Sequence, residues 1–461
     1  MSPSELRALL VTYVFPPVGG AGVQRTAKLA KYLPEHGVLP EVLTAENPSV
    51  PLKDPSLLRD LPPGLRVLGA KTLEPSYAVK QQAWKAESDE KRATQRPPSG
   101  EAVRAPLAVR ARATLARAAK AMLVPDAQLL WQPHAHWVLG RELLRDPPDV
   151  VLVSAPPFSQ FLLAPLVRLR PGTAVILDYR DEWTMYQQVY EMISPATKVI
   201  GEQLERTLVH LAHAITTATP AFRDNLLRRF PTLDPERVVP IPNGYDSDDL
   251  PPALPELEAE HFWITYAGSI LRMNSPRGFL AAVRLLHERE PALAARLRVR
   301  FLGRIVDTEL DAFDGLHELG VERHGYVPHD RVVELLSESH MVLCTLADVP
   351  GARDMYPGKI FELMALGRPV LTCAPQGSLR ALVAEHTLGP ACDPDDAPAI
   401  ARELELALRA FVEGRYEARS RATGVERFHR RAIAGEFAQV MRDAVRRAGG
   451  PRGGRRREAL A

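Results

Sequence analysis

Ala8-Leu9-Leu10-Val11-Thr12-Tyr13, followed closely by Phe15-Pro16-Pro17-Val18-Gly19-Gly20-Ala21-Gly22, is the stretch on which the fold turns. Its first half is apolar on both faces, as a strand buried inside a parallel sheet must be. Its second half is a glycine-rich loop, after which helical spacing begins: Val23, Ala27, Ala30 and Leu33 share one face. A further strand near Pro40 to Thr44 completes strand, loop, helix, strand, the βαβ unit that opens a doubly wound sheet.

The same alternation continues outward. Strands are predicted at Asp149 to Ser154, Ala174 to Tyr179, Ala214 to Ala218 and Val238 to Ile241, with a helix over Lys198 to Leu211 among the crossovers that parallel strands require. Residues 75–100 are polar and read as an insertion. After Asn243-Gly244-Tyr245-Asp246 and a proline-rich stretch through Pro255, a second series opens at Trp263-Ile264-Thr265-Tyr266-Ala267-Gly268-Ser269. It runs through a helix at Phe279 to His287, strands at Arg298 to Leu302, Met341 to Thr345 and Pro369 to Cys373, and a helix at Ile360 to Leu366. Two α/β Rossmann-like domains facing a cleft follow: 1–250, and 257–420. A last helix is predicted over Glu426 to Arg447, and an Arg-rich tail, 450–461, reads as disordered.

A chain of 461 residues suits two domains, and 46% hydrophobic with 25% charged residues is enough for a core in each. Net charge +2 gives no case for nucleic acid as a partner. The three cysteines, Cys344, Cys373 and Cys392, are far apart and odd in number, which fits neither a disulfide framework nor a structural zinc and suits a reducing cytoplasm. No secretory leader or spanning segment is read, so the expected location is cytoplasmic.

Three loops carry candidate chemistry. Gly19, Gly20 and Gly22 sit between strand and helix, where backbone N–H groups can meet an anion; a tight turn needing positive φ is the competing reading. A dehydrogenase fingerprint fails there, because the third glycine position counted from Gly20 holds Arg25. The second loop, Gly268-Ser269-Ile270-Leu271-Arg272-Met273-Asn274-Ser275-Pro276-Arg277, adds two cations, Arg272 and Arg277, suited to charge growing on a diphosphate leaving group. A merely solvated side chain is the competing reading for each, and the sequence favours the phosphate role at Arg277. The third is Asp354-Met355-Tyr356-Pro357-Gly358-Lys359-Ile360-Phe361-Glu362. It places Glu362 about one turn into a helix among apolar neighbours, where a carboxylate can accept hydrogen bonds from ribose hydroxyls.

With these residues in hand, the chain resembles the glycosyltransferase family 4 group of GT-B enzymes. The likeness also rests on Ser154-Ala155-Pro156-Pro157, Asp178-Tyr179-Arg180-Asp181-Glu182-Trp183 and Ile241-Pro242-Asn243-Gly244-Tyr245-Asp246. The resemblance implies a GT-B fold and a nucleotide-sugar donor held mainly by the second domain. It also implies that the last helix, within 424–449, packs back on the first domain, that configuration is retained, and that no metal or other cofactor is needed. The family's Glu-x7-Glu pattern falls on Asp354 and Glu362, with Glu362 on the ribose and Asp354 toward the sugar. Its diphosphate Arg…Lys pair falls on Ser269 and Arg277, so Arg272 stands in for the first. Where relatives carry a histidine, this chain has Arg180-Asp181, giving Arg180 a phosphate or sugar contact and Asp181 an orienting or basic role; a structural Arg–Asp pair is the rival reading. The remaining implied donor contacts are Gly19, Gly20, Gly268, Gly358 and Lys359. A nucleotide-sugar epimerase or hydrolase on the same fold, or a non-catalytic nucleotide-sugar-binding subunit, are the alternatives.

Asp246-Ser247-Asp248 and Asp393-Pro394-Asp395 imitate metal-binding DxD motifs but read as solvated turns, and His134/His136 and His210/His213 lack a third ligand. The acceptor is not identified. A basic amphipathic helix over 104–124, with Arg104, Arg110, Arg112, Arg117 and Lys120, is compatible with contact at the inner membrane face and a lipid-linked acceptor, and equally with a solvated face.

Overall fold

The computed structural model describes residues 5–50, 53–81, 125–183 and 195–450. The 104–124 helix, nearly all of the 450–461 tail and most of the 75–100 insertion lie outside the described residues. The chain divides into two compact units: Met1–Thr217, Arg223–Ile241 and Ala434–Ala461 form unit 1, while Ala218–Phe222 and Pro242–Ile433 form unit 2.

Unit 1 is a parallel sheet of seven strands: β1 (Leu6–Val11), β2 (Val38–Ala45), β3 (Arg66–Ala70), β4 (Val150–Ala155), β5 (Ala174–Tyr179), β6 (Ala214–Thr217) and β7 (Val238–Pro240). Their order is β3-β2-β1-β4-β5-β6-β7, the doubly wound arrangement whose order reverses between β1 and β4. β4 and β5 are buried at every position, as central parallel strands are. The helices include α1 (Ala21–Tyr32), α2 (Gln132–Arg145), α3 (Pro195–Leu211) and α4 (Pro220–Arg229), which begins within unit 2 residues. Trp131, Phe158, Phe161 and Trp183 fill one face of the core.

Unit 2 repeats the plan with six strands: β8 (Phe262–Ala267), β9 (Leu297–Leu302), β10 (Val321–His324), β11 (Met341–Thr345), β12 (Val370–Cys373) and β13 (Ala391–Cys392). The order is β10-β9-β8-β11-β12-β13, so the reversal falls between β8 and β11. Its helices include α5 (Arg277–Arg289), α6 (His329–Ser337), α7 (Ile360–Leu366), α8 (Ser378–Glu385) and α9 (Ala397–Val412). The three cysteines are buried and free, one on each of β11, β12 and β13.

The last helix differs from its expected bounds. Val425–Phe428 is a short 3₁₀ turn, His429 is extended, and α10 proper is Arg430–Arg447. The break has a cause: Tyr245 bridges His429 as a parallel partner, its N–H donating to Phe428 O (3.0 Å) and its carbonyl accepting from Arg430 N–H (2.8 Å). Gly244 makes room for this, since a β-carbon there would lie 2.1 Å from Phe428 O.

Arg25 turns out to be a buried hub of unit 1. It donates through Nε and Nη2 to Asp178 (3.0 and 2.8 Å) and through Nη2 to Ile241 O (2.9 Å), and it lies 4.9 Å from the Phe437 ring centroid. Ser154 and Thr216 hydroxyls donate to the same carboxylate, each at 2.7 Å. One residue on α1 thus ties together β4, β5, β6, the end of β7 and α10.

Candidate active site

In an open parallel sheet, ligands gather beyond the carboxyl ends of the strands where the order reverses. In unit 2 that point is flanked by the loop after β8, Gly268 to Pro276, and the loop after β11, Leu346 to Lys359. The two loops are joined: Ala347 N–H donates to Met273 O (2.7 Å) and the Thr345 hydroxyl to Asn274 O (2.9 Å).

The first loop is held by Asn274. Its Nδ2 donates to Ser269 O (2.6 Å) and the Tyr266 hydroxyl (2.7 Å), while Oδ1 accepts from Leu271 N–H (2.8 Å). The expected amide cradle is therefore mostly occupied by the protein itself. Gly268 N–H donates to Leu302 O (2.8 Å) and Ile270 N–H to Arg304 O (2.7 Å), leaving Ser269 N–H without an internal partner among the described residues. Gly268 has φ +147° and faces Lys359: a β-carbon there would lie 3.7 Å from Lys359 Cε. Sequence reading passed over Gly303, whose φ is +129° and whose added β-carbon would meet the Gly268 carbonyl oxygen at 2.4 Å. A glycine directly after the next strand was the available signal.

The second loop delivers Lys359 and Glu362. Ile360, Phe361, Leu363, Met364 and Leu366 of α7 are buried, and Gly367, at φ 80°, closes the helix in the left-handed region. Lys359 and Glu362 are three residues apart and so share a face, half-buried. Neither makes a hydrogen bond or a close ion pair among the described residues. Burial pulls the Lys359 ammonium below the ordinary lysine value, and the Glu362 charge opposes that pull. Asp354 ends a 3₁₀ turn, Ala352–Asp354, and its carbonyl accepts from the Thr219 hydroxyl at 2.7 Å. Gly358 is exposed, with nothing within 4 Å of where a β-carbon would stand.

The two arginines part company with this cluster. Arg277, at the start of α5, donates to both Asp311 oxygens and to Thr308 O (2.8 Å), with Glu309 3.2 Å from its Nε. It is a brace between α5 and the 307–311 segment. Arg272 is exposed on the 3₁₀ turn Arg272–Asn274.

In unit 1, Gly20 has φ 104° immediately before α1, the positive φ that its tight-turn reading required, and nothing stands within 4 Å of its missing β-carbon. Gly19 lies half-buried just ahead of it. Arg180 follows β5 and directs its guanidinium at backbone carbonyls: Ala155 O (3.3 Å), Pro156 O and Gly22 O. It thereby fastens the glycine loop to the loop after β4. Burial pushes the Asp181 carboxyl above its usual range, and the Arg180 charge offsets this only in part.

The decoys have local work. Asp246 and Asp393 each accept from the backbone N–H two residues on (3.1 Å in both cases). His136 bonds Gln132 O and Leu162 O, His210 bonds Arg206 O and Thr232, His134 accepts from Lys71 N–H, and His213 accepts from Val175 N–H.

Residues 19–244 match the family model described as a glycosyl transferase 4-like domain, and residues 261–410 match that of glycosyl transferases group 1. The chain is built from two glycosyltransferase domains. No curated protein matches it in sequence. Among solved structures, this glycosyltransferase is similar to a sucrose-phosphate synthase from Thermosynechococcus elongatus, with TM-score 0.62 and 15% identity over 95% of this chain and 98% of that one. It is also similar to Anabaena HepE, in complex with UDP and glucose, with TM-score 0.54 and 14% identity over 95% and 99%. The lipopolysaccharide outer core galactosyltransferase WaaB, in its apo form, aligns with TM-score 0.54 and 12% identity over 95% and 99%. At these identities the likeness is one of fold, and that fold is GT-B. No helix among the described residues is long and apolar enough to cross a membrane.

Proposed function

We propose that the chain transfers a sugar from a nucleotide-diphosphate donor to an acceptor hydroxyl, with unit 2 holding the donor. The observation that carries this reading is the placement of Lys359 and Glu362 on one side of the start of α7, with Lys359 packed against the Gly268 turn at the reversal point of the unit 2 sheet. Glu362 reads the ribose: a carboxylate with no side-chain partner among the described residues can accept from two adjacent hydroxyls. Asp354 lies one loop upstream, on the sugar side. In the transfer, the acceptor oxygen bonds to the anomeric carbon as the bond from that carbon to the diphosphate oxygen breaks. The acceptor proton passes to the departing phosphate, and the configuration is retained.

Thermal shift with UDP-, GDP-, ADP- and TDP-sugars tests it. A ligand that binds only the native state raises the melting temperature, and at about one hundred times Kd the gain is roughly 2.7 kcal/mol. One nucleotide series should stabilise the wild-type chain, and Glu362→Gln should abolish the shift while leaving the unliganded melting temperature close to wild type. A chain indifferent to every series sinks the reading.

A further inference from the structure

We infer that Lys359, and not Arg277, supplies the positive charge that holds the donor's diphosphate. The inference rests on the donor-site reading above and assigns one residue within it.

A diphosphate needs a cation that is near the nucleotide and is not already neutralised. Arg277 fails the second condition. Its guanidinium spans Asp311 at both oxygens, Glu309 at 3.2 Å and the Thr308 carbonyl at 2.8 Å. To reach a phosphate it would have to abandon two carboxylates, one of which, Glu309, is buried and also accepts from the Ser275 hydroxyl at 2.6 Å. Leaving such a carboxylate without its cation is costly. The start of α5 is also crowded: a β-carbon at Gly278 would stand 1.8 Å from Pro394 O.

Lys359 meets both conditions. Its side chain packs against Gly268, so the chain carries its ammonium to the turn that ends β8. It shares a helix face with Glu362, the residue assigned to ribose, and ribose and diphosphate are adjacent parts of one donor. Among the described residues its charged neighbour is that same Glu362, which binding of the ribose would engage. A half-buried ammonium with no hydrogen-bond acceptor gains more from an arriving dianion than a solvated one, because less water screens the pair. An ammonium is also a compact point charge, suited to contacting oxygens of both phosphates at once.

The test is calorimetric titration with whichever of UDP, GDP or ADP stabilises the wild-type chain, alongside its own monophosphate. Lys359→Gln should weaken the diphosphate by about ten-fold or more, and the monophosphate by no more than about three-fold. Lys359→Arg should restore most of the diphosphate preference, which a variant that had merely lost its fold could not do. Arg277→Gln should lower the melting temperature yet leave diphosphate affinity within about three-fold of wild type. The assignment is overturned if Arg277→Gln takes the selective loss, or if Lys359→Gln weakens both nucleotides alike. If no nucleoside diphosphate binds the wild-type chain, the donor-site reading falls and this assignment with it.

Discussion

Arg25 shows how much one residue can change meaning between a sequence and a fold. In the sequence it is the residue that spoils a glycine fingerprint; in the structure it is 2% exposed and bidentate to a fully buried Asp178. Burial alone would raise the Asp178 carboxyl. The Arg25 charge, with hydrogen bonds from Arg25, Ser154 and Thr216, outweighs that and holds it below the usual range. A carboxylate depressed in this way contributes stability that is complete above the unfolded-state value, near 3.8, and is lost as pH falls through the folded value. Arg25→Met or Asp178→Asn alone should cost about 3–5 kcal/mol, because each strands a buried partner. The pair Arg25→Met with Asp178→Asn should cost clearly less than the sum of the single changes, because no buried charge is then left without its partner. Urea unfolding of the four chains at pH 7 gives the coupling, and additive losses would contradict the hub.

At the scale of elements, the central strands and the β7 edge were legible, and the other three sheet edges were not. β4 and β5 open on apolar runs, Val150 to Val153 and Ala174 to Leu177, but β3 (RVLGA) and β10 (VERH) are edges with exposed side chains, and β13 has two residues. Such strands are too short or too exposed to leave an apolar pattern. The α7 segment was legible because its apolar residues leave Lys359 and Glu362 on the one side not fully buried, with a glycine stop after Leu366. The commitment of the Gly268 loop amides to Asn274 and β9 was not legible, since it depends on contacts between loops. Glycines divide along the same line. Gly358 looked functional and has open space around it, whereas Gly278 looked ordinary and touches the Pro394 carbonyl. Helix propensity alone would make Gly278→Ala stabilising by about 1 kcal/mol. A 1.8 Å contact with backbone reverses that sign, and the change should destabilise by about 1–3 kcal/mol, with Gly358→Ala within about 0.5 kcal/mol of wild type in the same thermal unfolding series.

At the scale of the molecule, one chain has built the same order of six strands twice, with a seventh added in unit 1, and it passes between the two units at Thr217, Phe222, Ile241 and Ile433. Each unit has its own apolar core, so each has its own source of cooperativity, and a single melting temperature need not describe the whole. The donor residues proposed here, Gly268, Lys359 and Glu362, all belong to unit 2, whereas the Arg25 hub belongs to unit 1. Scanning calorimetry can use this division. Arg25→Met should lower the transition that belongs to unit 1, and Gly278→Ala the one that belongs to unit 2, which assigns the two. Saturating nucleoside diphosphate should then raise the unit 2 transition by an amount set by its Kd and leave the other near its unliganded position. A ligand that moved only the Arg25-sensitive transition would place the donor on the wrong half of the chain. One that moved both equally would mean that the two cores unfold as a single cooperative body, and the stability losses at Arg25 and Gly278 would then draw on one common reserve.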